Sequence, residues 1–159
     1  MSTVKVGAKF PSLVLFGKGN AQVRVPEDFH GKSVVLSWFP FAFSPVCTEE
    51  LTGFAKVHGE MEHLNATVVA VSVDHWYSNE AYRISLGASY PFLSDWFRDN
   101  ARKLGILNEE RGMAKRVIYL LDQDGILRWQ REYATKDCPK VEHFLGELRR
   151  LAPAAAQPA

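Results

Sequence analysis

The chain is poor in cysteine. Of its 159 residues only Cys47 and Cys138 carry a thiol. Two cysteines so far apart exclude the disulfide framework of a small secreted domain. There is no Cys-x-x-Cys, which argues against a dithiol disulfide reductase. There is no His-Glu-x-x-His, and the spacing of His58 and His63 does not put them on one helix face, so no zinc site is expected. Charge of one sign is also lacking: 19 Lys and Arg stand against 18 Asp and Glu, a net +1. With no basic block, neither nucleic acid nor an anionic membrane is expected as a partner. No apolar run is long enough to span a bilayer. The segment Met1–Gly7 lacks the apolar core of a signal peptide, so the cytoplasm is the expected location. Gly31-Lys32-Ser33 ends like a phosphate-binding loop, but Pro26 stands where that motif needs glycine.

The rest of the sequence is strongly patterned. Leu13–Phe16 and Gln22–Val25 flank Gly17-Lys18-Gly19-Asn20 and predict a hairpin. Ser33–Phe39 and Thr67–Val73 are nearly all apolar and read as buried parallel strands. Between them Leu51, Phe54, Ala55, His58, Met61 and Leu64 share one helical face. Glu80–Leu86 predicts a short helix, Pro91–Leu93 an extended piece, and Asn100–Leu104 one or two helical turns. Arg116–Leu121 and Ile126–Arg131 flank Asp122-Gln123-Asp124-Gly125, the clearest hairpin in the chain. A last helix would bury Val141, Phe144, Leu145, Leu148 and Leu151. Crossover helices after consecutive buried strands imply a parallel centre, with the late hairpin on one edge. The expected fold is a thioredoxin-like α/β sandwich: a central mixed sheet flanked by helices, with an N-terminal hairpin extension. One domain over residues 1–151 and a flexible tail over 152–159 follow. Trp76-Tyr77 and Trp96-Phe97 fall in expected loops, where exposed aromatics suggest a homodimer face.

Cys47 stands out by position. It follows the strand ending at Phe39 and sits where a helix begins. Unpaired N–H groups and the positive end of the helix dipole favour thiolate there, and thiolate is the reactive form.

Pro40, Ser44 and Cys47 fit the spacing Pro-x-x-x-Thr/Ser-x-x-Cys, and this segment resembles the active-site pattern of the peroxiredoxin family. Pro45-Val46-Cys47-Thr48-x-Glu50, Tyr90-Pro91-Phe92-Leu93-Ser94-Asp95 and the position of Arg116 extend the resemblance from about Val6 to Leu151. The chain is most similar to the group containing alkyl hydroperoxide reductase E and the bacterioferritin-comigratory proteins. The resemblance implies a thiol-dependent peroxidase that reduces hydrogen peroxide and organic hydroperoxides through a cysteine sulfenic acid, without a cofactor. It implies Cys47 as nucleophile, Arg116 as a fixed cation for thiolate and peroxide, and Ser44 Oγ as a partner for sulfur or peroxide oxygen. Pro40 would shield the thiolate, the N–H groups of Val46 and Cys47 would face the peroxide, and Glu50 would support the site. An external thiol reductant (thioredoxin-, glutaredoxin- or mycoredoxin-like) is implied as a partner. A redox-sensing or thiol-relay module, passing oxidation to a partner protein, would use the same Cys47 and is the alternative.

Two departures from the family bear on this reading. Most members carry threonine where this chain has Ser44, whose hydroxyl lacks a restraining methyl. The resolving cysteine that many bacterioferritin-comigratory proteins carry five residues later is Thr52 here. Cys138 is then either a resolving cysteine or a spectator. The late hairpin should return the chain to the active-site edge just before it, and Pro139 marks an expected helix start, where the thiol would ionise more easily.

Overall fold

The computed structural model describes residues 2–154. Strands β1 (Leu13–Phe16) and β2 (Gln22–Val25) pair as the N-terminal hairpin. Then come β3 (Ser33–Trp38), α1 (Pro45–His63), β4 (Ala66–Ser72), α2 (Trp76–Leu86), β5 (Phe92–Ser94) and α3 (Asp99–Lys103). A two-residue pair, β6 (Leu107–Asn108) and β7 (Met113–Ala114), precedes β8 (Arg116–Leu121), β9 (Leu127–Tyr133) and α4 (Leu145–Leu151). The large sheet runs β2-β1-β5-β4-β3-β8-β9. Its centre, β3-β4-β5, is parallel, and both flanking hairpins add antiparallel strands. This is the mixed-sheet α/β sandwich expected from the element order.

Period-2 alternation explains the layers. Val34, Leu36 and Trp38 of β3 join one core with Val69, Val71, Tyr119 and Ala101 of α3. Val35 and Phe39 face the other core, with Leu51 and Phe54 of α1, Tyr82 of α2, and Phe144 and Leu148 of α4. Every residue of β3, β4 and β8 is buried, as strands covered on both faces require. Ser37 shares the α1-facing side of β3, so its hydroxyl needs a partner inside the protein.

Several boundaries differ from expectation. Helix α2 begins at Trp76, four residues before Glu80, because the His75 side chain caps it by accepting the Tyr77 N–H. Trp76 and Tyr77 therefore lie in its first turn rather than in a loop. The last helix is split: a 3-10 turn, Val141–His143, is separated from α4 by Phe144 at φ −134°, ψ 9°. Ala152 is buried, so packing reaches into the segment expected as tail; residues 155–159 of that tail lie outside the described residues.

Candidate active site

Helix α1 opens with Pro45, Val46 and Cys47 after the extended N-cap residue Ser44. Proline suits the first helical position, where no N–H is needed. Ser44 makes no side-chain cap. Its Oγ instead donates to the Phe41 carbonyl at 3.0 Å, so its single proton is not given to sulfur. The first intrahelical bond runs from the Thr48 N–H to the Ser44 carbonyl, 2.9 Å. The N–H groups of Val46 and Cys47 have no hydrogen-bond partner among the described residues. They form the positive end of a 19-residue helix, beside the Cys47 sulfur.

Arg116 reaches this end from the first position of β8. It is 2 % exposed, and Cys47 is wholly buried. One guanidinium nitrogen, Nη2, donates to Cys47 Sγ at 3.3 Å. Nη1 donates to Glu50 Oε1 at 3.0 Å, a fully buried ion pair. Nε and Nη2 donate to the Thr135 carbonyl at 3.3 and 3.0 Å. Glu50 lies three residues after Cys47, on the same helix face. Its second oxygen accepts the Ser37 hydroxyl at 2.7 Å. One cation thus serves two acidic groups, and the chain Ser37–Glu50–Arg116–Cys47 fixes the cation in place.

The electrostatics follow from burial. Loss of water pushes the Glu50 carboxyl up to about 7, against the lowering by Arg116 and Ser37. Burial also works against the charged form of Arg116, but Glu50 and Cys47 outweigh it and its pKa is raised. The guanidinium stays charged, and whenever Glu50 takes up its proton that charge is left more fully to sulfur.

Other sequence candidates take their places around this core. Pro40 is buried in the turn leading to α1, and Val46 is half-buried. Cys138 lies outside any helix or strand, not at a helix start, since Lys140 is extended and the 3-10 turn begins only at Val141. Its thiol is pushed up by burial, then by Glu49 and Glu50, with Arg116 and Lys140 opposing. That reverses the expected easier ionisation. Cys138 shares a groove of about 550 Å³ with Pro45, Thr48, Glu49 and Phe54, so it stands along the first turns of α1.

Ser37, the Thr135 carbonyl, Tyr82 and Asp74 join the site without having been singled out from the sequence. Ser37 left a signal, a lone hydroxyl inside an apolar strand. Tyr82 left none: its OH pairs with Thr48 Oγ1 at 2.8 Å and its ring lies 4.8 Å from Phe43. Asp74 accepts the Ala42 N–H at 2.9 Å. No group of three metal-binding side chains occurs among the described residues, and no described helix is long and apolar enough to cross a membrane.

Comparison with known proteins bears on the family and the fold. The sequence pattern of the AhpC/TSA family matches residues 6–130. Peroxiredoxin 1 of Sulfuracidifex metallicus is 33% identical over 165 aligned positions, covering 96% of this chain and 72% of its own length. A peroxiredoxin of Hyperthermus butylicus is 32% identical over 130 positions, covering 77% of this chain and 56% of its own length. The crystal structure of Enterococcus faecalis AhpC superposes with a TM-score of 0.80 at 26% identity, covering 91% of this chain and 90% of that one.

Proposed function

The chain belongs to the AhpC/TSA family and is a thiol-dependent peroxidase, and on that premise we propose that Cys47 is the sulfur that attacks the peroxide. The observation that carries this reading is the buried guanidinium of Arg116, 3.3 Å from Cys47 Sγ and pinned by Glu50. A thiolate attacks one peroxide oxygen and the O–O bond breaks. Sulfur is oxidised to sulfenic acid, and the other oxygen leaves as water or alcohol after taking a proton. Arg116 supplies fixed positive charge where negative charge builds on the departing oxygen. The free N–H groups of Val46 and Cys47 add donors at the helix end. Ser44, whose proton goes to Phe41, serves as an acceptor for a peroxide O–H, and Pro40 keeps water off the sulfur.

The sulfenic acid is then condensed with a second thiol. Cys138 fits that role by place: it adjoins the first turn of α1, and Thr135, three residues before it, is bonded to Arg116. Condensation forms the Cys47–Cys138 disulfide and releases water. Full burial of Cys47 means the first turn of α1, or the segment before Cys138, opens for this step. A thioredoxin-, glutaredoxin- or mycoredoxin-like thiol returns both sulfurs to the reduced state. Both cysteines are free, which suits a reducing compartment such as the cytoplasm. The exposed aromatics near the site suit a homodimer.

Mass spectrometry after one equivalent of peroxide tests the scheme. Wild type is expected to lose both thiols, and Cys138→Ser to hold a trappable sulfenic acid on Cys47. Cys47→Ser is expected to lose turnover with its fold intact. Retained turnover in that variant removes Cys47 from the mechanism. A sulfenic acid persisting in wild type removes Cys138 and leaves an external thiol to do its work.

A further inference from the structure

The loop Phe39–Ser44, between β3 and α1, decides where a peroxide oxygen can sit, because it delivers Pro40, Ser44 and the start of the helix. Its backbone is strained. Phe43 has φ +68°, a left-handed conformation that a residue with a Cβ adopts only when its surroundings enforce it. Its ring is 58 % exposed, so packing on Tyr82 is partial. The loop is held at its start by the Phe39 N–H, which donates to the Val71 carbonyl at 2.9 Å. In its middle Asp74 Oδ2 accepts the Ala42 N–H at 2.9 Å across 32 residues of chain, beside a bond between the Phe43 backbone and the Tyr82 side chain and the Ser44 hydroxyl on the Phe41 carbonyl.

Asp74 stands on a rigid base. The Ser72 hydroxyl donates to the same Oδ2 at 2.7 Å, and the Asp74 N–H donates back to Ser72 Oγ at 3.2 Å. Ser94 Oγ donates to the Asp74 carbonyl at 2.5 Å. Ser72 and Ser94 are buried, and Asn79 amide hydrogens go to Ser72 Oγ and the Leu93 carbonyl, both at 3.0 Å. The carboxylate oxygen is therefore fixed to the ends of β4 and β5. A residue that only started α2 would need the local bonds to Ser72 but not the one to Ala42.

We propose that Asp74 is a positioning residue for peroxide reduction: its Oδ2, fixed by Ser72, holds the Ala42 N–H and so sets the loop that places the peroxide against Cys47. This rests on the reading of Cys47 as the attacking sulfur. Among the described residues no hydrogen bond joins Asp74 to Cys47 or Arg116, so Asp74 acts through the loop. Geometry and charge make opposite demands on substitution. Asparagine keeps an acceptor oxygen in place and drops the charge. Glutamate keeps the charge and moves the oxygen by one methylene.

The test is stopped-flow oxidation of Cys47 by hydrogen peroxide, with alkylation of the same thiol by iodoacetamide in parallel. Alkylation reads thiolate reactivity without needing the peroxide's placement. Asp74→Ala is expected to slow oxidation about tenfold to a hundredfold, the cost of a small misplacement of reacting atoms, and to leave alkylation little changed. Asp74→Asn is expected to retain most of the oxidation rate, and Asp74→Glu to be slowed like alanine. The Asn/Glu pair keeps the test decisive if alanine costs the fold. Wild-type oxidation in Asp74→Ala overturns the proposal. So does an equal loss in both reactions, or a fast Glu variant beside a slow Asn variant, which would make charge the operative property. Failure of the Cys47 reading itself shows elsewhere, as peroxide turnover surviving in Cys47→Ser.

Discussion

Glu50 sets the electrostatic terms at the residue scale. A buried carboxyl and a buried sulfur share one guanidinium, so the site holds one more acidic group than cation. Burial lifts Glu50 from its ordinary 4.5 to about 7. The folded state therefore holds this proton more tightly than the unfolded chain does. That stabilisation is fully present below about pH 4.5 and is lost as pH rises through about 7, a change of about 3 kcal/mol. Glu50→Gln keeps the shape and can bond both Ser37 and Arg116. Denaturant unfolding from pH 5 to 8 is expected to show a decline in wild type that is flattened in Glu50→Gln. Equal slopes would mean that Glu50 is ionised throughout. Arg116→Lys is a second test at this scale. Lysine loses the planar fork that reaches sulfur, carboxylate and carbonyl together. Oxidation of Cys47 is expected to slow by roughly 10²-fold with an unchanged circular dichroism spectrum, and an unaltered rate constant would assign the role to another cation. Much of this site was legible. Cys47 and Glu50 stand one helical turn apart in sequence, so their shared face could be read directly. Arg116 could be singled out only through family resemblance, because nothing local marks it among the other arginines. The Thr135 carbonyl left no trace, since any residue type offers a carbonyl.

At the scale of elements, the β8–β9 hairpin carries the cation. Arg116 sits at one end of β8 and the turn at the other. The turn is built on Asp122, whose Oδ1 accepts the Asp124 and Ile126 N–H groups at 2.9 Å. Gly125 completes it at φ +78°, with Pro26 packed against it: an added Cβ would lie 2.8 Å from Pro26 Cγ. Gly125→Ala is expected to destabilise the fold by at least ~1–2 kcal/mol, the left-handed penalty alone. Oxidation of Cys47 should be unchanged below the melting transition, because the turn is at the far end of the strand from Arg116. A thermal midpoint equal to wild type would show that neither the left-handed backbone nor the contact with Pro26 constrains this position. This hairpin was legible because β8 is apolar after Arg116, Leu127 and Trp129 alternate with Arg128 and Gln130 in β9, and Asp-Gln-Asp-Gly marks the turn. The start of α2 was not. Trp76 and Tyr77 have weak helix preference, and the signal lay in a histidine cap, an uncommon capping residue. The 3-10 turn before α4 was hidden as well. Val141, Phe144 and Leu148 keep helical spacing across a break in the backbone at Phe144.

For the whole molecule, exposed aromatics near the active site bear on assembly. Phe41 and Phe43 project from the loop before α1, Tyr77 from the first turn of α2, and Trp96 and Phe97 from the segment after β5. All five are exposed, Tyr77 to 68 % and Phe97 to 67 %. The His75 ring links two of them, 5.2 Å from Tyr77 and 5.1 Å from Trp96. Five aromatics about half exposed offer roughly 500 Å², a large part of the about 800 Å² per partner that a stable interface buries. We propose that these aromatics contribute to an interaction site. Near-zero net charge (+1 at pH 7) leaves little electrostatic repulsion between two copies. A second copy of the chain is the proposed occupant. Sedimentation velocity at micromolar concentration is expected to give twice the chain mass of 17.9 kDa. Tyr77→Lys or Phe97→Asp places an unpaired charge in that interface. Each is expected to shift the protein to monomer without lowering its melting temperature at dilutions where wild type is also monomeric. A wild type that sediments as a single chain rules out the dimer, and a variant that stays dimeric moves the interface to another face.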